Sequence, residues 1–247
     1  MNVVSTAVVA LLGLFSACAS AGTEPATPQV TRAPGGPTAV EGADPGVNAP
    51  FRDPALDVNA WSSRFEGESR EVYRAREAIV ALLGLEPGMA VADVGTGTGL
   101  FVKYLSDAVG PSGKVFATDI SEKFLAHVRG RAAAAGLTNV ETRLGTTDSA
   151  ELGAASVDLI FVCDVYHHFE APMPMLETLH SALRPKGRLV ILDFHRIPGK
   201  TSEFLMNHVR AGRETVISEV EQAGFVRLPD PPAPFLEDNY ILVFERP

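Results

Sequence analysis

Short apolar runs alternate with stretches whose apolar residues recur at helical spacing from about residue 60 to the end of the chain. Val91-Ala92-Asp93-Val94 runs into Gly95, Gly97 and Gly99, three glycines on alternate positions, which predicts a strand turning tightly into a helix. Lys114 to Asp119, Asn139 to Leu144, Val157 to Cys163 and Arg188 to Leu192 are four further strand candidates. The run at 157–163 is nearly continuous in apolar residues, as expected of a strand covered on both faces. Between them, Leu100, Tyr104, Leu105 and Ala108 form one apolar helical face before Gly110. Phe124, Leu125 and Val128 form another, closed by Gly136. This alternation predicts parallel βαβ units, with ligands at the carboxyl ends of the strands. Towards the C-terminus, Arg213 to Ala223 reads as a helix closed by Gly224. Phe225 to Leu228 and Asn239 to Phe244 follow as two strands joined by a proline-rich loop, which predicts an antiparallel hairpin. Trp61 to Leu85, with Trp61, Phe65, Val72, Tyr73, Ile79 and Leu82 among many charges, predicts an amphipathic helix over the ligand face.

The glycine loop narrows the ligand. A dinucleotide fingerprint G-x-G-x-x-G requires glycine at position 100, where the chain has Leu100. Asp93 is also misplaced for an anionic pyrophosphate, whereas a carboxylate suits a ligand carrying an ammonium and a sulfonium. Asp93-Val94-Gly95-Thr96-Gly97-Thr98-Gly99 resembles the first motif of the class I S-adenosylmethionine-dependent methyltransferases, and the resemblance extends over about residues 60 to 247. It implies a Rossmann-like, seven-stranded, mostly parallel sheet with an antiparallel C-terminal hairpin and helices on both faces. It also implies S-adenosyl-L-methionine as cofactor. Asp119, 26 positions after Asp93, then corresponds to the acid that holds the ribose hydroxyls, with Ile120 beside it. Thr147 and Asp148, after the third strand, correspond to the polar side chains near the adenine amino group. Asp164, after the fourth, corresponds to a contact of the methionine portion. The cofactor-binding set is therefore Asp93, Gly95, Thr96, Gly97, Gly99, Asp119, Ile120, Thr147, Asp148 and Asp164.

On the acceptor side, Cys163-Asp164-Val165-Tyr166-His167-His168-Phe169 follows the fourth strand and Asp193-Phe194-His195-Arg196 ends the fifth. Methyl transfer is an in-line displacement that needs alignment, and a base only where the acceptor must lose a proton. Histidine titrates near neutrality, so His168 and His195 are the catalytic candidates, and His208 is a further group that joins them if its helix lies near. His167 reads equally well as a packing residue. Arg70, Tyr73 and Arg74 are further residues within reach of the ligand. A metal reading, with Asp164, Asp193 and His195 as ligands, resembles the catechol-type O-methyltransferases; the chain has no tight ligand spacing such as H-E-x-x-H, and the expectation is no metal. The expected acceptor is a small molecule. Two other functions fit the same fold, a tethered non-catalytic nucleoside-binding protein and an aminopropyl-type transferase. The latter calls for an acidic rather than a histidine-rich site.

Composition adds bounds. The chain has 247 residues, 46% of them hydrophobic, enough for one sizeable core, and its formal net charge of −9 argues against a generic nucleic-acid surface. No charged side chain occurs before Glu24. Val3 to Phe15 is a short apolar stretch followed by Ser16-Ala17-Cys18, which resembles a bacterial secretory or lipoprotein leader with Cys18 as the lipidated residue. A basic n-region is absent. The expected division is a leader at 1–18, a proline-, glycine- and alanine-rich linker at 19–59 and the methyltransferase-like domain at 60–247. Attachment to the bacterial cell envelope follows if the leader works, and a cytoplasmic enzyme if it does not. Cys163, the only other cysteine, sits on a buried strand, so no structural disulfide is expected.

Overall fold

The computed structural model describes residues 41–247, so the expected leader and Cys18 lie outside the described residues. The described chain enters through a 3-10 turn at Pro45–Asn48 and four short helices, α1 (Ala49–Arg52), α2 (Val58–Phe65), α3 (Glu71–Arg74) and α4 (Arg76–Leu82). Strands and helices then alternate: β1 (Ala90–Val94), α5 (Val102–Val109), β2 (Lys114–Asp119), α6 (Glu122–Ala134) and β3 (Val140–Leu144). After β4 (Val157–Cys163) come α7 (Pro172–Ala182) and β5 (Leu183–Phe194). The chain closes with α8 (Glu203–His208), α9 (Arg213–Gln222), β6 (Val226–Leu228) and β7 (Asn239–Glu245).

The strands form one seven-stranded sheet in the order β3-β2-β1-β4-β5-β7-β6, parallel from β3 to β5, with β7 antiparallel to both β5 and β6. Alternation along each strand builds a core on both faces. Ala92, Ile160, Val162, Leu189 and Ile191 pack with Leu176 and Leu179 of α7 and Val216 and Val220 of α9. On the other face, Val91, Leu159, Phe161, Val190 and Leu192 pack with Ile79 of α4 and Leu105 and Val109 of α5. This is the Rossmann-like methyltransferase sheet that the motif order implied.

Four local expectations change. The segment Trp61 to Leu85 is three helices rather than one, because Arg70 takes an extended conformation between α2 and α3 and Ala75 leaves helical geometry between α3 and α4. Helix α5 begins at Val102, so its buried face is Val102, Leu105, Ser106 and Val109, and Leu100 belongs to the loop. The turn expected before the fifth strand is absorbed into β5: the register jumps from Val157 opposite Leu183 to Leu159 opposite Arg188, with Lys186 at a φ of 66°. Finally, ordered structure starts well before residue 60. The backbone N–H of Ala43 donates to the Phe169 carbonyl at 2.8 Å, and Asn48 Nδ2 donates to the His168 carbonyl at 2.9 Å and to Glu170 Oε1 at 2.8 Å. The second half of the expected linker is thus a strap over the turn that follows β4. Among the described residues no helix is long and apolar enough to cross a membrane.

A buried polar network fixes that turn from the other side. Tyr166 Oη donates to Glu219 Oε2 at 2.7 Å, and Arg210 grips the same carboxylate with both terminal nitrogens, at 2.9 and 2.6 Å. The Arg210 and Glu219 side chains are 10% and 5% exposed. Glu219→Ala leaves a buried guanidinium unpaired, and we expect a stability loss of about 3–5 kcal/mol in denaturant unfolding. Glu245→Ala, which breaks the exposed pair with Lys186, should cost no more than about 1 kcal/mol.

Candidate active site

The carboxyl ends of β1, β2 and β4, with the ends of β3 and β5, open into a cavity of about 520 Å³. Of the residues predicted to bind cofactor, Asp93, Gly95, Thr96, Gly97, Asp119, Ile120, Thr147 and Asp164 line it. Gly95 has a φ of 72°, and a Cβ there would lie 2.5 Å from a methyl of Val165, so the loop approaches the turn after β4 as closely as it does only without a side chain. Asp119 is 8% exposed; its Oδ2 accepts from the Gly97 N–H and its Oδ1 from the Ser121 N–H, both at 2.8 Å. Asp93 Oδ2 accepts from the Thr96 hydroxyl at 2.7 Å. Asp164 pairs with Arg70 through Oδ2 and accepts from Asn239 Nδ2 at 2.6 Å through Oδ1.

Three predicted residues fall elsewhere. Gly99 does not line the cavity; at a φ of 82° its Cβ would sit 2.9 Å from Val128 of α6, so its role is to let the loop pack on that helix. Asp148 is exposed, and it accepts from the Thr146 hydroxyl at 2.6 Å, folded back over its own turn and away from the cavity. His195 lies outside the cavity as well. The end of β5 gives Phe194 to the cavity, while the His195 ring packs on Tyr240 of β7 at 5.5 Å and the His195 backbone N–H donates to the Asp238 carbonyl. The acid pair proposed as metal ligands is likewise spent within the protein. Asp164 is held by Arg70 and Asn239, and Asp193 accepts from the His167 and Phe194 N–H groups while bonded at 2.7 Å to His167 Nδ1.

His168 does line the cavity, but burial, reinforced by His167 and His208 beside it, drives its pKa down to about 2. It stays neutral at any working pH and is a poor match for a general base. For His167, burial works against the charged form, yet the Asp193 carboxylate outweighs it and raises the pKa. His167, which read equally well as a packing residue, is therefore the one of the two with a carboxylate partner. The strap and α2 add Asn48, Phe51, Trp61 and Phe65 to the lining, and α8 adds Phe204 and His208. Their rings form a connected roof: Phe51 and Trp61 have centroids 4.9 Å apart, Trp61 and Phe65 5.1 Å, Phe51 and His168 5.5 Å. One signal for this segment was present in the sequence. Asp57 before Val58-Asn59-Ala60 is a helix N-cap, and its Oδ1 accepts from the N–H groups of Asn59 and Ala60.

A family model described as a methyltransferase domain matches residues 85–224. An uncharacterized 37.1 kDa protein in a transposon of Streptomyces fradiae is 32% identical over 116 residues, 47% of this chain and 33% of its own length. A ubiquinone/menaquinone biosynthesis C-methyltransferase of Hydrogenovibrio crunogenus is 27% identical over 119 residues, 48% of this chain and 47% of its own. The chain thus spans less than half the length of these two curated relatives. Among solved structures, a SAM dependent methyltransferase from Aquifex aeolicus superposes with a TM-score of 0.64 at 27% identity, covering 76% of this chain and 97% of that one. The family match takes in more than half of the chain, and the protein belongs to the class I methyltransferase family.

Burial pushes the carboxyls of Asp93, Asp119 and Asp164 up to about 6 each. An aspartate whose pKa rises on folding binds its proton more tightly in the folded state, so its charge costs stability above pH 6 and the cost disappears as pH falls towards 4. We therefore expect Asp93→Asn to stabilise the ligand-free protein by about 2 kcal/mol at pH 8, with the gain vanishing near pH 4. Thermal unfolding across that pH range checks the sign and the window.

Proposed function

We propose that this protein transfers a methyl group from S-adenosyl-L-methionine to a small acceptor lying under the aromatic roof. The observation that carries this reading is Asp119, a buried carboxylate at the end of β2 with each oxygen bonded to one backbone N–H and lone pairs to spare. Those lone pairs suit a ribose diol. The donor set fits the cofactor in charge as well, since three buried carboxylates line the cavity and Arg70 is already paired with one of them. When bound, the cofactor supplies a sulfonium methyl group to a nucleophilic atom. Asp119 would hold the ribose, Ile120 and Thr147 would flank the adenine, and the Gly95–Gly97 backbone with Asp93 and Asp164 would face the cationic methionine portion. Phe51, Trp61 and Phe65 would exclude water and orient a flat apolar acceptor against it. His167, held by Asp193, and His168 then serve to position the acceptor.

The test is calorimetry with S-adenosylmethionine, S-adenosylhomocysteine and the decarboxylated cofactor, followed by methyl release on a panel of small aromatic and thiol acceptors. Asp119→Ala should weaken cofactor binding roughly 10- to 150-fold, the loss of about 1.5–3 kcal/mol expected for hydrogen bonds to a charged group. Because Asp119 has to be ionised to accept both hydroxyls, affinity should fall about tenfold between pH 7.5 and pH 5 in the wild type. Unchanged affinity in folded Asp119→Ala protein overturns the assignment, and tight binding without methyl release on any acceptor favours the non-catalytic alternative. Preference for the decarboxylated cofactor favours aminopropyl transfer.

We further propose that residues 1–18 direct the protein to the bacterial cell envelope. A lipid on Cys18 supplies the anchor, so Cys18→Ser should move the protein from the membrane to the soluble fraction on cell fractionation. Soluble wild-type protein that retains Met1 overturns it.

A further inference from the structure

We propose that His167, His168 and His208 together bind one divalent transition-metal ion of the zinc type. His167 and His168 are consecutive on the 3-10 turn Tyr166–His168 after β4, and His208 is the last residue of α8. One ring nitrogen from each lies within 4.8 Å of the others, and the three ring centroids are separated by 4.3, 5.1 and 5.1 Å. No hydrogen bond joins any two of these rings among the described residues, so their convergence is not explained by a network among themselves.

The surroundings point to a ligand. His167 Nδ1 is committed to the Asp193 carboxylate at 2.7 Å, which leaves Nε2 as the nitrogen it has to offer. Asp193 in turn is fixed by the backbone N–H groups of His167 at 3.0 Å and Phe194 at 2.8 Å. A carboxylate that orients an imidazole from behind is the usual outer support of a histidine metal ligand, because it sets the tautomer and makes the free nitrogen a stronger donor. His168 Nδ1 is buried and has no hydrogen-bond partner among the described residues. An all-imidazole donor set suits zinc, copper or nickel. Three protein ligands leave a fourth tetrahedral position, and all three histidines line the cavity, so that position opens towards the acceptor space. The ion site stands on these contacts alone. Its consequence for the acceptor rests on the methyl-transfer reading above: an open position there selects small acceptors carrying an electron-pair donor such as a thiol or a phenol.

The test uses the full chain without an affinity tag, freed of metal by chelator, and titrated with Zn²⁺ alone and with Co²⁺ alone as a spectroscopic probe. We expect one ion per chain and visible Co²⁺ absorption. Asp193→Asn should weaken binding about 10- to 100-fold and His208→Ala at least about tenfold. His195→Asn, outside the cavity, should bind as wild type. His208 sits half-buried on a short surface helix, so its variant remains folded even where changes at Asp193 or His167 do not. Failure to bind either ion stoichiometrically, or wild-type affinity in His208→Ala, overturns the site. No cofactor is present in these titrations. Failure of the methyl-transfer reading would instead appear in separate calorimetry as absent cofactor affinity in the wild type.

Discussion

Five parallel strands held in register end on one edge of the sheet, and that constraint organises everything the site contains. Val94 lies opposite both Thr118 and Val162, so Asp93, Asp119 and Asp164 arrive within one cavity although they are separated by tens of residues in sequence. Both faces of the sheet are covered by helices, which removes water from the strand ends as well as from the strand centres. The same burial that secures the fold therefore makes each of these carboxylates expensive to ionise, and all three sit near a pKa of 6. A cationic ligand offsets that cost on binding, and this couples the stability of the cavity to its occupation.

The histidine side of the cavity is built differently, by side-chain contacts between segments that the sheet alone does not bring together. The turn after β4 is held from three directions: the strap through Ala43 and Asn48, α9 through Glu219 with Arg210 of the loop before it, and the end of β5 through Asp193. Tyr166, His167 and His168 each answer to one of these directions, Tyr166 to Glu219, His167 to Asp193 and the His168 carbonyl to Asn48. Such a turn has little freedom to rearrange, which favours a site that aligns reactants over one that closes around them.

The aromatic roof shows how far composition misleads. Residues 41–59 share the proline- and glycine-rich character of the segment before them, yet the Phe51 ring packs among those of Trp61, Phe124 and His168. A half-buried aromatic ring and a few hydrogen bonds to the chain beyond suffice to order such a stretch, because a segment that docks on a preformed surface needs no core of its own.

The sheet, its connections and the cofactor loop were readable from the chain because their signals are local. Nearly continuous apolar runs, glycines at Gly95 and Gly97 and the acids at Asp93 and Asp119 all act within a few residues of where they stand. Errors gathered where a residue's role depends on a distant partner. His195 and Asp148 have the right residue types at the right strand ends, but a packing ring on Tyr240 and a hydroxyl of Thr146 hold them away from the cavity. His167 is indistinguishable from its neighbour in sequence and is set apart only by Asp193, 26 residues on. Sequence determined the succession of strands and motifs along the chain because each strand carries its own pattern. Only the tertiary structure decided which side chains meet at the reaction end, because there the contacts run between segments whose separation along the chain carries no period to read.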